Sequence, residues 1–274
     1  MPGKWGVDCP ISSACVVGSA NGLVFLFNQR ETCILNPTIR KSKKLYVMWG
    51  SSLAAKCGFG YDESHDDYKA QFISCCRNSS HHVVTIHSLR SDSWTTVHEH
   101  FQGIFLINRL GKYVNGKLYW SSSTGISTYI VSKIISFDLA DETWGSVALP
   151  FCGQDKSNFK LGVMGIDLSL IYTCHSGATT TDVWILKDCS SWTKLFTIKF
   201  PQRAGPYLFP SPIYTFSMHF CESNKGDILI LNSSFIMIID GSTRKLEHNA
   251  DVEVEEIYLE SLVSPLTISD QGRR

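Results

Sequence analysis

Short apolar runs of β-branched and aromatic residues recur along the chain, each bounded by Gly, Asn, Asp or Ser. Windows of a dozen residues carry no convincing helical stripe, so the pattern predicts strands. The stretch Ile134 to Pro150 gives the unit. Ile134, Ile135 and Phe137 form one strand, Asp138 to Glu142 a turn whose carboxylates bond nearby backbone, and Thr143, Trp144 and Val147 a second strand ended by Pro150. Equivalent turns begin at Asn36, Ser88, Asp138, Leu186 and Asp240, which are 52, 50, 48 and 54 residues apart. Six positions after the second, third and fourth starts stand Trp94, Trp144 and Trp192.

A second signature precedes most of these turns: a Gly-containing turn followed by an apolar strand. It is clearest at Asn21-Gly22-Leu23, Asn115-Gly116-Lys117 and Lys225-Gly226-Asp227, and weaker at Met164-Gly165-Ile166. Each unit therefore has room for four strands; in the fourth these are Lys160 to Met164, Leu168 to Cys174, Asp182 to Leu186 and Trp192 to Ile198. Gly and Asx turns favour hairpins over crossovers. Four-stranded antiparallel units at this period mark a β-propeller, because one blade cannot bury both faces alone. The fold expected is all-β, a kelch-like propeller of five clear blades with an incomplete sixth hinted at by Glu255 to Val263. Trp94, Trp144 and Trp192 are expected on outer strands, packed between blades. The expected domain spans residues 14–265, after an irregular segment 1–13 and before a polar tail 266–274.

The matching segments, in order, are Gly18-Ser-Ala-Asn-Gly-Leu, Asn36-Pro-Thr-Ile-Arg-Lys, Gly58-Phe-Gly-Tyr-Asp, Asp66-Asp-Tyr-Lys, Tyr113-Val-Asn-Gly-Lys-Leu-Tyr-Trp, Ile135-Ser-Phe-Asp-Leu-Ala-Asp-Glu-Thr-Trp, Asp182-Val-Trp-Ile-Leu, Ser191-Trp-Thr-Lys-Leu-Phe-Thr-Ile and Tyr258-Leu-Glu-Ser-Leu-Val-Ser-Pro. Together they resemble the plant F-box-associated domain, the kelch-like recognition half of F-box proteins, the S-locus F-box group included. The resemblance implies a substrate receptor of a cullin-RING ubiquitin ligase, in which the F-box docks the adaptor and the propeller holds the target. Met1 to Cys15, with Pro2, Gly3 and Pro10, do not fit three F-box helices, so target binding and not adaptor binding is expected of this chain; a stand-alone or truncated binding module without ligase coupling is the alternative reading, and a glycan-binding or hydrolytic propeller the more remote one.

Composition narrows the partners. Twenty-five basic and 25 acidic residues balance, giving no global field for nucleic acid or anionic membrane. The early sequence has no signal-peptide pattern, and no apolar run reaches membrane length. A monomer in the cytoplasm or nucleus is expected, with its ten cysteines as reduced thiols.

Candidate chemistry is sparse, and no enzyme or cofactor is expected. The sequence contains no nucleophile elbow, P-loop or Gly-x-Gly-x-x-Gly. Cys75, Cys76, His81 and His82 are adjacent in pairs, and neighbours on a strand point to opposite faces, so zinc is not expected. Asp62, Glu63, Asp66 and Asp67 lack the alternating ligands and central Gly of a calcium loop and read as a solvated hairpin turn. Asn78 and Asn232 head glycosylation triplets that a chain without a secretory route leaves unused. Gly58 and Gly60 read as close blade packing.

Topology predicts a partner face. Second-to-third strand loops and blade-to-blade connections emerge on one rim and mix aromatic with polar residues. Arg77, His81, Phe101, Phe105, Phe151, Phe159, His175, Tyr207 and Phe209 are its candidate contacts, the phenylalanines and tyrosine serving as anchors.

Overall fold

The computed structural model describes residues 15–28, 31–46, 56–75, 81–100, 103–124, 131–150, 159–173, 180–188, 191–199, 218–223, 226–232, 235–243, 246–251 and 260–266. All regular structure within them is strand. Blade 1 is β1 (Cys15–Ala20), β2 (Leu23–Phe27), β3 (Thr32–Asn36) and β4 (Lys41–Leu45). Blade 2 is β5 (Lys56–Asp62), β6 (Asp67–Cys75), β7 (His81–Ser88) and β8 (Ser93–His100). Blade 3 adds β9 (Ile104–Leu106) to β10 (Lys112–Val114), β11 (Lys117–Thr124), β12 (Lys133–Asp138) and β13 (Trp144–Val147). Blade 4 is β14 (Phe159–Met164), β15 (Asp167–Thr173), β16 (Thr180–Lys187) and β17 (Ser191–Lys199). Blade 5 is β18 (Met218–Glu222), β19 (Ile228–Asn232), β20 (Phe235–Ile239) and β21 (Leu246–Asp251).

Each blade is an antiparallel meander, first strand to fourth, as the repeat predicts. The fourth and fifth blades share one ladder, because β14 pairs in parallel with β18 through Val163–His219 and Met164–Phe220. Five blades thus lie in four hydrogen-bonded sheets.

Turn chemistry sets the register. Asn21-Gly22 and Asn115-Gly116 are two-residue loops with every φ positive (44° and 86°, 47° and 76°). That geometry matches the right-handed twist of the strands they join, and Asn and Gly are the residues that tolerate it. The recurring third-to-fourth turn is closed by its first side chain. Asn36 Oδ1 accepts from Thr38 N (2.8 Å), and Asp138 Oδ1 accepts from Ala140 N (2.9 Å). Ser88 Oγ accepts from Ser91 N (3.1 Å), and Asp240 Oδ1 from Ser242 N (3.0 Å). Arg40, Asp92 and Glu142, four residues on from three of these, each take φ between 52° and 55°.

Apolar layers between consecutive blades make the propeller. Phe25 and Ile34 of blade 1 meet Phe59 and Phe72 of blade 2. Ile73 and Val84 of blade 2 meet Leu118, Trp120 and Phe137 of blade 3. Tyr119 and Ile134 of blade 3 meet Leu161 and Leu170 of blade 4, whose Ile171 and Val183 in turn meet Ile228 and Ile230 of blade 5. The two glycines of β5 face side chains of blade 3 at close range. A Cβ on Gly58 would lie 2.7 Å from Leu118 Cδ1, and one on Gly60 would lie 2.3 Å from Tyr113 Cδ2.

Trp94, Trp144 and Trp192 lie on β8, β13 and β17, half-buried against the layers between blades 1 and 2, 2 and 3, and 3 and 4. Trp192 also crosses a blade boundary, its Nε1 donating to Ala148 O at 2.7 Å.

The C-terminal stretch differs from expectation. Within Glu255 to Val263 the described residues begin at Glu260, and residues 260–266 form no strand. They are held to blade 1 instead: buried Asn36 donates through Nδ2 to Ser261 O (2.9 Å) and Val263 O (2.8 Å). Val263 packs on the layer between blades 1 and 2.

Candidate partner-binding face

Strand direction divides the propeller ends. First-to-second and third-to-fourth loops share one end, the tight-turn rim; second-to-third loops and blade-to-blade connections share the other, the long-connection rim.

The tight-turn rim is chemically occupied. Asp62 has a fully buried side chain and accepts from Lys69 Nζ (3.1 Å) and His65 Nδ1 (2.8 Å). Burial would raise its carboxyl, but the hydrogen bonds from His65 and Lys69 outweigh this and hold it below the usual range. Lys69, 9% exposed, also reaches Glu142 Oε1 (3.0 Å) and Leu139 O (2.5 Å), tying blade 2 to blade 3. Asp66 accepts from Tyr61 Oη (2.6 Å), and Asp67 from Ser88 Oγ and Arg90 N. The Asp62 to Asp67 turn is therefore a hairpin as expected, but Asp62 is buried and paired, not solvated. Between blades 1 and 2, Lys43 Nζ and His87 Nε2 both contact Asp92 Oδ1, at 2.9 and 3.3 Å. His87 is 2% exposed and packs tilted against Trp94, with ring centroids 4.7 Å apart; burial lowers its pKa although Asp92 pulls the other way.

The long-connection rim carries the residues singled out from the sequence, unequally described. His81 opens β7 at this end. Phe105 lies in β9 opposite Ser123, with 41% of its surface exposed. Phe159 departs from the reading as an anchor. It opens β14 but is 4% exposed and stacked on Tyr172 (4.8 Å), because strand parity turns it toward blade 3. Arg77, Phe101, Phe151, His175, Tyr207 and Phe209 lie outside the described residues. So does Cys76; Cys75 pairs with His82 across β6 and β7.

The described residues of the connection from blade 2 to blade 3 are largely structured. β8 runs on to His100, β9 pairs with the far end of β11, and Cys57 N donates to Arg109 O (2.8 Å). Two residues of this rim escaped the sequence reading. Tyr46 follows β4 with 85% of its surface exposed, and the Arg109 guanidinium lies 5.7 Å from the Phe27 ring centroid. Single aromatic and basic residues at loop edges carry no periodic signal.

The inner strands hold Cys57, whose thiol burial pushes up to about 12, and Lys160, whose amine burial brings down to about 8. Cys57 is a fully buried thiol packed in the layer between blades 1 and 2. Among the described residues no three His, Cys, Asp or Glu side chains converge to hold a metal ion. No helix among them is long and apolar enough to cross a membrane.

The profile of the F-box associated beta propeller domain matches residues 11–265. The chain belongs to that family. As an F-box associated propeller it resembles three Arabidopsis thaliana proteins in particular. One, an F-box/kelch-repeat protein, is 30% identical over 67% of this chain and 52% of its own length. A second, an F-box protein, is 27% identical over 94% and 69%, and the F-box protein CPR1 is 25% identical over 94% and 68%. The F-box associated propeller thus spans about half to two-thirds of the length of these relatives. The family's role in plant F-box proteins is consistent with substrate recognition.

Proposed function

We propose that this propeller is the target-recognition domain of an F-box substrate receptor, non-enzymatic in itself, and that it grips a protein target through its long-connection rim. The placement of the exposed aromatics carries the reading: Tyr46 and Phe105 stand at the long-connection rim, whereas the other rim holds turn caps and inter-blade ion pairs with the exposed aliphatic Ile166. Exposed aromatics on a rigid scaffold are what a recognition surface needs. Joined to an F-box in the cytoplasm or nucleus, the domain positions its target for ubiquitin transfer.

The test is affinity capture with crosslinking, comparing the natural chain with Tyr46→Ala/Phe105→Ala and with a tight-turn control, Glu63→Ala/Asp141→Ala. Crosslinks on the long-connection rim that weaken only in the aromatic variant support the reading; target binding that follows the control variant refutes it. Recovery of the ligase adaptor by this chain distinguishes direct ligase coupling from a stand-alone binding role.

A further inference from the structure

The recurring turns have an electrostatic consequence for the whole propeller. A third-to-fourth turn needs a side-chain acceptor at its start and a residue tolerant of positive φ near its end. Asp and Glu meet these needs in most blades, so carboxylates collect at the tight-turn rim. Asp66 and Asp92 in blade 2, Asp141 and Glu142 in blade 3, Asp188 in blade 4 and Asp240 in blade 5 all stand there. Among the described residues Arg40 and Arg90 are the loop cations of that end, and the sequence of the blade 5 turns adds Lys225, Arg244 and Lys245, while Lys117 and Lys187 at its strand ends are paired with Asp138 and Asp167 (both 2.7 Å).

The chain as a whole is neutral, so cations must be in excess elsewhere. They stand at the long-connection rim. Lys56 opens β5, Arg109 precedes β10, Lys133 opens β12 and Lys199 closes β17, an arc over blades 2 to 4. Arg109 and Lys199 are exposed. Among the described side chains the carboxylates at this end are Glu31 and Asp182, and both are engaged. Glu31 accepts from Lys44 (3.0 Å), and Asp182 from Lys194 (2.8 Å) and Thr197 (2.6 Å).

We infer that the propeller is electrically bipolar and that its long-connection rim takes a carboxylate-rich segment of a protein partner. The inference rests on the proposed use of that rim and adds the chemistry of what it holds. Complementary charge steers encounter and orients the partner, with Tyr46 and Phe105 supplying apolar contact at the same end. The acidic opposite end repels the same segment and so forbids the inverted pose.

The experiment measures fluorescence anisotropy of three labelled peptides of equal length, Glu/Tyr, Gln/Tyr and Lys/Tyr, titrated with the full chain. The variants are Lys133→Glu/Lys199→Glu and, on the opposite rim, Glu63→Lys/Asp141→Lys; circular dichroism melts monitor folding, and Lys199→Gln alone serves if the double variant unfolds. The Glu/Tyr peptide is expected to bind best, to weaken with added salt, and to lose about tenfold in the Lys133/Lys199 variant. The opposite-rim variant is expected to bind it unchanged. If the Gln/Tyr peptide binds equally well and its binding still depends on Tyr46 and Phe105, the acidic preference is overturned while the recognition rim stands. If Glu/Tyr binding responds to the opposite-rim variant alone, the rim assignment itself falls. Tighter binding of a single-stranded oligonucleotide than of the Glu/Tyr peptide at physiological salt also overturns the inference.

Discussion

Asn36 is the place where the strap across the propeller can be cut with one atom. Its Oδ1 caps its own turn through Thr38 N, while its Nδ2 donates to Ser261 O and Val263 O, more than two hundred positions along the chain. Asn36→Asp keeps the cap and replaces the donor by an oxygen facing two carbonyl oxygens at 2.8 to 2.9 Å. Two buried hydrogen bonds worth about 1 kcal/mol each are lost, and a charge is left in a site whose side chain is fully buried. The combined cost is about 3 to 5 kcal/mol at neutral pH. For a chain of this size that lowers the melting temperature by roughly 2 to 4 °C per kcal/mol, a shift any thermal scan resolves. Hydrogen exchange separates the local from the global effect: amides of residues 261–266 should lose protection first, with the third-to-fourth turn of blade 1 still closed. Protonation restores one donor, so the deficit should shrink at acid pH. A variant with unchanged melting temperature and unchanged protection at 261–266 would show that the strap contributes nothing and refute the reasoning.

Three further outcomes follow from the packing between blades. Gly60→Ala drives a Cβ to 2.3 Å from Tyr113 Cδ2 and 2.7 Å from Leu139 Cδ1, so urea unfolding should show a loss of at least about 1 to 3 kcal/mol. Lys69→Met removes the buried cation facing Asp62 and leaves His65 as the carboxylate's partner, costing about 1.5 to 3 kcal/mol, and adding Asp62→Asn should recover part of the loss. Because the folded pKa of His87 lies below its unfolded value of about 6.5, the unfolded chain takes the proton first as pH falls. Stability from this residue is therefore complete above that pH and declines below it. The urea midpoint should drop between neutral pH and pH of about 5.5, and His87→Gln should flatten the drop.

The repeat was legible because each of its marks is a local necessity. Asn-Gly fits a two-residue hairpin, an Asx or Ser side chain closes the next turn, and a tryptophan returns on the outer strand. The contacts binding one blade to the next were not legible, since they join residues as far apart as 44 positions (Trp192 to Ala148) and 70 (Lys69 to Leu139). Nothing near Lys69 in sequence announces Leu139 or Glu142. Phe105 and Phe159 look alike as aromatic residues beside a connection, yet one is exposed and the other stacked in a core layer. The difference is strand parity, which is fixed by register and not by composition. β9 went unseen because three residues are too few to show alternation. The Glu255 to Val263 stretch has strand-forming residues, but for its described end hydrogen bonds to a side chain, not a ladder, decide the conformation.

The parallel pairing of β14 with β18 makes the last two blades a single continuous slab of eight strands. No seam of side chains alone separates them, so they should melt and refold as one cooperative block. Breathing of the molecule is then concentrated at the boundaries between blades 1, 2, 3 and 4, where the joining surface is side-chain packing with only scattered backbone bonds.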